Sequence, residues 1–202
     1  MTHANGDIYQ GEWKEGKANG YGVYVDQNGS MYNGEWLNDQ YHGKGIETWN
    51  YGTIKYEGDF VEAKKSGKGR FEFDGNYYEG DFEDGQFEGQ GKYYFADTGK
   101  VYHGEFHENN IVGYGVMIWP DDTKYEGEFV NGKMEGKGTK TWPNGNRYEG
   151  MWRNDLQHGP GIFFSKKTGK ETPEEWRDGK CWTWMKSPNQ SSQAPANKSQ
   201  VG

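Results

Sequence analysis

Leucine is nearly missing from this chain, with Leu37 and Leu156 the only two in 202 residues. Leu, Ile, Val and Phe together number 26, too few for an aliphatic core and a share that normally marks disordered chain. A single cysteine, Cys181, argues against a disulfide framework. Long apolar runs are missing as well. Met1 to Tyr9 is polar with no apolar h-region, and no window approaches the length of a membrane span, so neither a signal peptide nor a transmembrane helix is expected. The expected location is therefore the cytoplasm, with the sequons at Asn28, Asn189 and Asn197 left unglycosylated. Positive charge is in deficit. A net charge of -8 spread along the chain argues against nucleic acid as a partner and against purely electrostatic attachment to anionic lipid.

What the chain does have is 17% aromatic residues and 33 glycines. Disordered segments are poor in aromatics, so the chain must fold by a route that does without an aliphatic core. Internal repetition supplies it. Tyrosines open a recurring phrase at Tyr9, Tyr32, Tyr56, Tyr78, Tyr102, Tyr125 and Tyr148. With each tyrosine as position 1, position 3 is always glycine, as at Gly11, Gly80 and Gly150. Position 5 is always a large aromatic: Trp13, Trp36, Phe60, Phe82, Phe106, Phe129 and Trp152. A glycine pair at positions 12 and 14 runs from Gly20/Gly22 through Gly159/Gly161.

Alternation of positions 1, 3 and 5 with polar residues such as Glu126 and Glu128 has the period of a strand. A turn near positions 7 to 11 leads to a second strand from position 12 to about 18, which often ends in an aromatic: Trp49, Phe73, Phe95, Trp119 or Trp142. Turn phrases such as Pro143-Asn144-Gly145-Asn146 then lead to the next tyrosine. Each unit reads as one antiparallel hairpin, and the fold class is all-β. Residues 9–171 hold seven repeats, 172–185 a degenerate half repeat with Trp176 at position 5 that acts as an end cap, 1–8 the last turn of a truncated unit, and 186–202 a Ser/Asn/Gln/Pro-rich disordered tail. At ~4.8 Å per strand the array is expected to be a rod of about 70 Å. Fixed glycines weaken strands, so an aromatic ring is expected to lie across them, with position 5 the candidate.

The phrase Tyr125-Glu126-Gly127-Glu128-Phe129-Val130-Asn131-Gly132-Lys133-Met134-Glu135-Gly136-Lys137-Gly138 resembles the MORN (membrane occupation and recognition nexus) repeat. The resemblance covers Asp7 to Lys180. It implies an elongated, twisted, single-layer antiparallel sheet with an aromatic-lined groove. It also implies a non-enzymatic scaffold or adaptor that binds other proteins of a larger assembly, in a ciliary or flagellar axoneme (radial spoke heads among them) or in the cortical cytoskeleton. Position 8, usually Gly in the family, is Asp39, Ala63, Asn109 and Asp155 here, so the turn is expected to differ from unit to unit.

Chemistry-bearing patterns reduce to structure. His103 and His107 match a zinc spacing that converges only on a helix, and on a strand they lie about 13 Å apart. The carboxylate pairs Glu57/Asp59, Glu79/Asp81 and Glu126/Glu128 recur at positions 2 and 4, which reads as a solvated strand face. Gly136-Lys137-Gly138-Thr139 lacks Walker spacing, and Cys181 beside Trp182 and Trp184 reads as part of an end strand. No catalytic, metal or cofactor site is expected. The expected docking groove is a row of rings, with Tyr78, Tyr102 and Tyr125 as anchors and Trp119 and Trp142 as the rim. The open edge at Asp7 to Lys14 is a further expected site for partner peptides, and dimerisation through an exposed end or edge is expected as well. The alternative is a peripheral membrane protein recognising phosphoinositides through Lys64, Lys65, Lys68 and Arg70.

Overall fold

The computed structural model describes residues 6–182. The expectations for the 186–202 tail, for Trp184 and for the outer ends of segments 1–8 and 172–185 concern residues outside them. The fold is all-β, an open antiparallel sheet of consecutive hairpins in which, within each of the units given next, every strand pairs with its neighbours in the chain. The described residues form two compact units, one up to Asn110 and one from Ile111. The first carries β1 Ile8–Lys14, β2 Lys17–Val25, β3 Met31–Leu37, β4 Gln40–Trp49, β5 Ile54–Val61, β6 Lys64–Phe73, β7 Asn76–Glu83, β8 Gln86–Phe95 and β9 Lys100–His107. The second carries β10 Asn110–Ile118, β11 Lys124–Val130, β12 Lys133–Thr141, β13 Arg147–Arg153, β14 Leu156–Ser165, β15 Lys170–Arg177 and the short β16 Lys180–Cys181. No helix among the described residues is long and apolar enough to cross a membrane.

The turn within each repeat is tighter than the sequence suggests. It is two residues long, because both position 7 and position 8 take left-handed backbone: Asn38 and Asp39 at φ 52° and 68°, Asn131 and Gly132 at 49° and 75°. Two consecutive positive φ values give the two-residue hairpin whose twist matches its strands. Pairing therefore resumes at position 9, as in Leu37↔Gln40 and Val130↔Lys133, three residues before the expected strand start. The expected variation between turns is also corrected. Asp39, Ala63, Asn109 and Asp155 hold the same geometry as the glycines, and three of them add a bond. Asp39 Oδ1 accepts from the Ala18 N–H at 2.7 Å, Asn109 Oδ1 from Phe87 at 2.8 Å and Asp155 Oδ1 from Met134 at 2.8 Å. Each of these ties a turn to its neighbour one repeat back.

Ala63 has neither the freedom of glycine nor an oxygen, and it sits at φ 63°. Left-handed backbone costs an alanine about 1 kcal/mol or more, while asparagine tolerates it. Ala63→Asn is expected to stabilise the protein by about 1 kcal/mol, seen as a raised urea midpoint at unchanged slope. An unchanged or lowered midpoint would contradict this account of the turn.

Candidate functional site

Glycine lines up across the strands. In the first unit the register places Gly11, Gly22, Gly34, Gly45, Gly58, Gly69, Gly80, Gly91 and Gly104 side by side on successive strands. The second unit repeats the row with Gly115, Gly127, Gly138, Gly150 and Gly161. The position 1 tyrosine lies over this row, and this corrects the expectation for position 5. A methyl group on Gly45, Gly69 or Gly91 would come within 2.4–2.6 Å of the ring of Tyr32, Tyr56 or Tyr78. The hydroxyl then donates to the position 4 carbonyl, as Tyr32 does to Glu35 at 2.8 Å and Tyr78 to Asp81 at 2.8 Å. The reason is reach: a phenol extended over two glycines meets a carbonyl at its tip, which the Phe at position 5 has no hydroxyl to do.

Position 5 instead stands edge-on between two tyrosines, its own and that of the preceding repeat. Phe60 meets Tyr56 at 5.0 Å and Tyr32 at 5.1 Å, and Trp152 meets Tyr148 at 5.6 Å and Tyr125 at 5.1 Å. Such edge-to-face pairs add about 1 kcal/mol each beyond area burial. Trp36 and Trp152 also donate their indole N–H to the carbonyls of Gly22 and Gly138, at 3.1 and 3.0 Å. Trp13, on the first strand, meets Tyr9 at 5.0 Å and stays 45% exposed. In repeats two and four the other face of the tyrosine is covered from position 10, by Tyr41 stacked on Tyr32 at 3.7 Å and by Phe87 on Tyr78 at 3.9 Å.

Enclosed on every side, Tyr78, Tyr102 and Tyr125 are 0% exposed. They hold the sheet together and offer no surface to a partner, so the expectation of docking anchors at these three residues is corrected. Burial also raises their phenol pKa values, that of Tyr102 to about 12.

The MORN repeat family model matches residues 9–31, 32–53, 56–76, 78–100, 102–124, 125–147 and 148–168. The chain belongs to the MORN-repeat family. No curated protein matches it. Among solved structures it is similar to "SAS-4 (dCPAP) TCP domain in complex with a Proline Rich Motif of Ana2 (dSTIL) of Drosophila Melanogaster", at 14% identity over 86% of this chain and 92% of that one, with a TM-score of 0.28.

The acidic residue at position 4 of most of these MORN repeats has a bonded role as well. The position 12 glycine has positive φ, 57° at Gly43 and 61° at Gly136, and bulges the strand so that the next N–H leaves the ladder. The position 4 carboxylate accepts it: Glu35 from Lys44 at 2.9 Å, Asp59 from Lys68 at 3.1 Å, Asp81 from Gln90 at 3.2 Å and Glu128 from Lys137 at 3.2 Å. These carboxylates are thus bonded parts of the hairpin rather than only a solvated face. Repeat seven departs twice at once, with Met151 at position 4 and Pro160 at position 13. Proline has no N–H to satisfy, so acceptor and donor disappear together.

Tyr21, Tyr51 and Tyr114 are exposed singly, whereas rings in mutual contact that remain reachable lie at the outer positions of the tyrosine face. In the first unit Trp49, Phe71, Phe73, Phe87, Tyr93 and Phe95 are all half-buried and touch in sequence, from Trp49–Phe71 at 6.2 Å to Tyr93–Phe95 at 4.5 Å. In the second, Trp119 and Trp142 open the turns that follow β10 and β12 and are half-buried as well. Lys140 Nζ lies 4.9 Å over Trp119, and Trp142 meets Phe163 at 6.2 Å. The sequence carried this patch in its repeated position 18 aromatics; the missing signal was that position 10 covers the tyrosines.

The basic cluster has carboxylate partners throughout. Lys64 pairs with Asp84 at 2.8 Å, Lys65 with Glu47 at 3.6 Å, Lys68 with Asp81 at 2.5 Å, and Arg70 with Glu72 at 2.6 Å and Glu79 at 3.1 Å. Lys65 also lies over the rings of Trp49 and Tyr56. On β9, His107 pairs with Glu88 at 3.0 Å, which raises its pKa, whereas burial and then Lys92 lower that of His103. Cys181 is half-buried on β16 opposite Trp176.

Proposed function

We propose that this MORN-repeat protein is a non-enzymatic scaffold that binds partner proteins on the outer aromatics of its tyrosine face. The observation that carries the reading is the six-ring patch of Trp49, Phe71, Phe73, Phe87, Tyr93 and Phe95, in mutual contact yet only half-buried. A contiguous apolar surface of that kind fits a partner segment presenting apolar side chains. The tyrosines beneath make a rigid floor, which lowers the ordering cost of binding. The setting proposed from the family resemblance is an axoneme or cortical cytoskeleton, and immunolocalisation in a ciliated cell tests it.

The binding face is tested by photo-crosslinking. With benzoylphenylalanine in place of Tyr93, crosslinks to partner proteins are expected in cell extract; in place of Tyr94, on the opposite face of the same strand, those partners should be missing. Phe73→Ser with Phe95→Ser should remove the Tyr93 crosslinks while circular dichroism stays native. Identical crosslinks from both positions would sink the reading.

A further inference from the structure

Strand β1 is an edge: among the described residues β2 lies on one side of it and no strand on the other. The backbone N–H and C=O groups on that open side are a template for one more strand. Two large side chains are left part-covered there, one on each face, Trp13 at 45% and Ile8 at 50% exposed. In later repeats the position 5 aromatic is closed in, with Trp36 at 8% and Trp152 at 5%. The strand upstream does this. The indole crosses that strand and donates its N–H to a glycine carbonyl, Trp36 to Gly22 and Trp152 to Gly138. Trp13 meets only the ring of its own Tyr9, and its indole N–H has no acceptor among the described residues.

The upstream strand has one make-up throughout repeats two to seven. Gly20 stands opposite Trp36 and Gly22 opposite Gly34, Gly43 opposite Phe60 and Gly45 opposite Gly58, Gly67 opposite Phe82 and Gly69 opposite Gly80. Phe106, Phe129 and Trp152 face the same pair of glycines. The first glycine takes left-handed backbone, φ 79° at Gly20 and 59° at Gly67, and the second is bare where the position 5 ring crosses. Two residues further on a bulky side chain stands opposite the tyrosine, as Tyr24 does to Tyr32, Phe71 to Tyr78 and Tyr93 to Tyr102. Strand β1 presents the same three positions, Trp13, Gly11 and Tyr9, to its open side.

We propose that the open edge of β1 is a second docking site, and that its occupant is an extended segment of a partner protein of the form Gly-x-Gly-x-aromatic, added antiparallel as one more strand. Its first glycine stands opposite Trp13, its second opposite Gly11 and its aromatic opposite Tyr9. Main-chain hydrogen bonds supply the affinity, and the indole laid over bare backbone supplies the selectivity. A carbonyl of the added strand accepts the Trp13 indole N–H, and its side chains on the other face cover Ile8. A second folded copy of this chain keeps its own Gly-x-Gly strands, such as β4 and β6, between two neighbours, so the occupant comes from another protein.

The test is an NMR titration of the full chain with a peptide that copies Lys65 to Phe73 of β6, Lys-Ser-Gly-Lys-Gly-Arg-Phe-Glu-Phe. It should shift the amides of Gln10, Gly11 and Glu12 together with the indole N–H of Trp13. Alanine in place of both peptide glycines should weaken binding at least about tenfold, and so should Trp13→Ala in the protein. Trp13→Phe, which keeps a ring that position 5 accepts elsewhere and loses only the donor, is the second variant should Trp13→Ala fold poorly, and it should weaken binding about threefold. No shift at about 1 mM peptide, equal binding of the alanine peptide, unchanged affinity in both Trp13 variants, or shifts confined to the six-ring patch would each overturn the proposal. Shifts of the β1 amides on concentrating the chain alone would assign the edge to a second copy and overturn it as well. The Tyr93 crosslinks report the six-ring patch and stand or fall separately.

Discussion

Gly91→Ala is expected to destabilise the protein by about 3–5 kcal/mol, as much as deleting a core aromatic. The added methyl would sit 2.4 Å from Tyr78 Cε2, and the ring has nowhere to retreat. Phe87 is stacked on its far side at 3.9 Å, while Phe82 and Phe106 stand against its edges at 5.1 and 4.9 Å. Tyr78→Ala should cost a similar amount. Adding Gly91→Ala on top of it should cost little, because the space is then empty, so the two effects should be far from additive. Gly85→Ala is the control. It meets nothing within 4 Å and is strained only by its φ of 84°, for about 1–2 kcal/mol. A melting temperature that Gly91→Ala lowers by no more than about 2 °C would refute the ring-over-glycine account. Phe106→Ala, which removes an edge neighbour of both Tyr78 and Tyr102, should cost on the order of 3 kcal/mol.

The second large effect is at alkaline pH. Burial raises the phenol pKa of Tyr32, Tyr56, Tyr78, Tyr125 and Tyr148 and takes that of Tyr102 to about 12. Tyr24 also reaches about 12, chiefly through its hydrogen bond to Asp7 and then burial. In the unfolded chain all of these ionise near ~10. Between the two values the unfolded state has lost protons that the folded state keeps. The stability is therefore fully present below pH ~10 and falls as pH rises toward the folded values, by up to about 1.4 kcal/mol per pH unit for each buried tyrosine. Several acting together should unfold the protein within about one pH unit of onset. Phenolate absorbance and loss of the β-sheet circular dichroism signal should rise together in one cooperative step. Gradual phenolate formation up to pH ~12 with a native spectrum throughout would contradict the enclosed tyrosines.

Much of this architecture was legible in the residues. The tyrosine period set the hairpins, and alternation at positions 1, 3 and 5 assigned the strand face. Which ring lay on the glycines was not legible, because alternation puts Tyr and Phe of one repeat on the same face and does not say which leans across the row. The turn was misjudged for a related reason. Left-handed backbone is read from glycine, and Asp39, Ala63, Asn109 and Asp155 hide it. For the site, sequence pointed to the most regular residues, Tyr78, Tyr102 and Tyr125. The most regular position, the tyrosine, is buried, whereas the reachable surface lies in the position 18 aromatics such as Trp49 and in residues that vary between repeats, such as Phe87.

Chain-neighbour pairing bears on how the fold forms. Within each unit every strand joins only the strand before and the strand after it, and turn-to-turn bonds such as Asp39 N–H to the Ala18 carbonyl span a single repeat. Relative contact order is therefore low for an all-β protein, and no step must first close a long loop. Sandwiches and barrels fold slowly because their strands must find partners far along the chain. Here any hairpin can nucleate, and each later one docks onto an edge already formed.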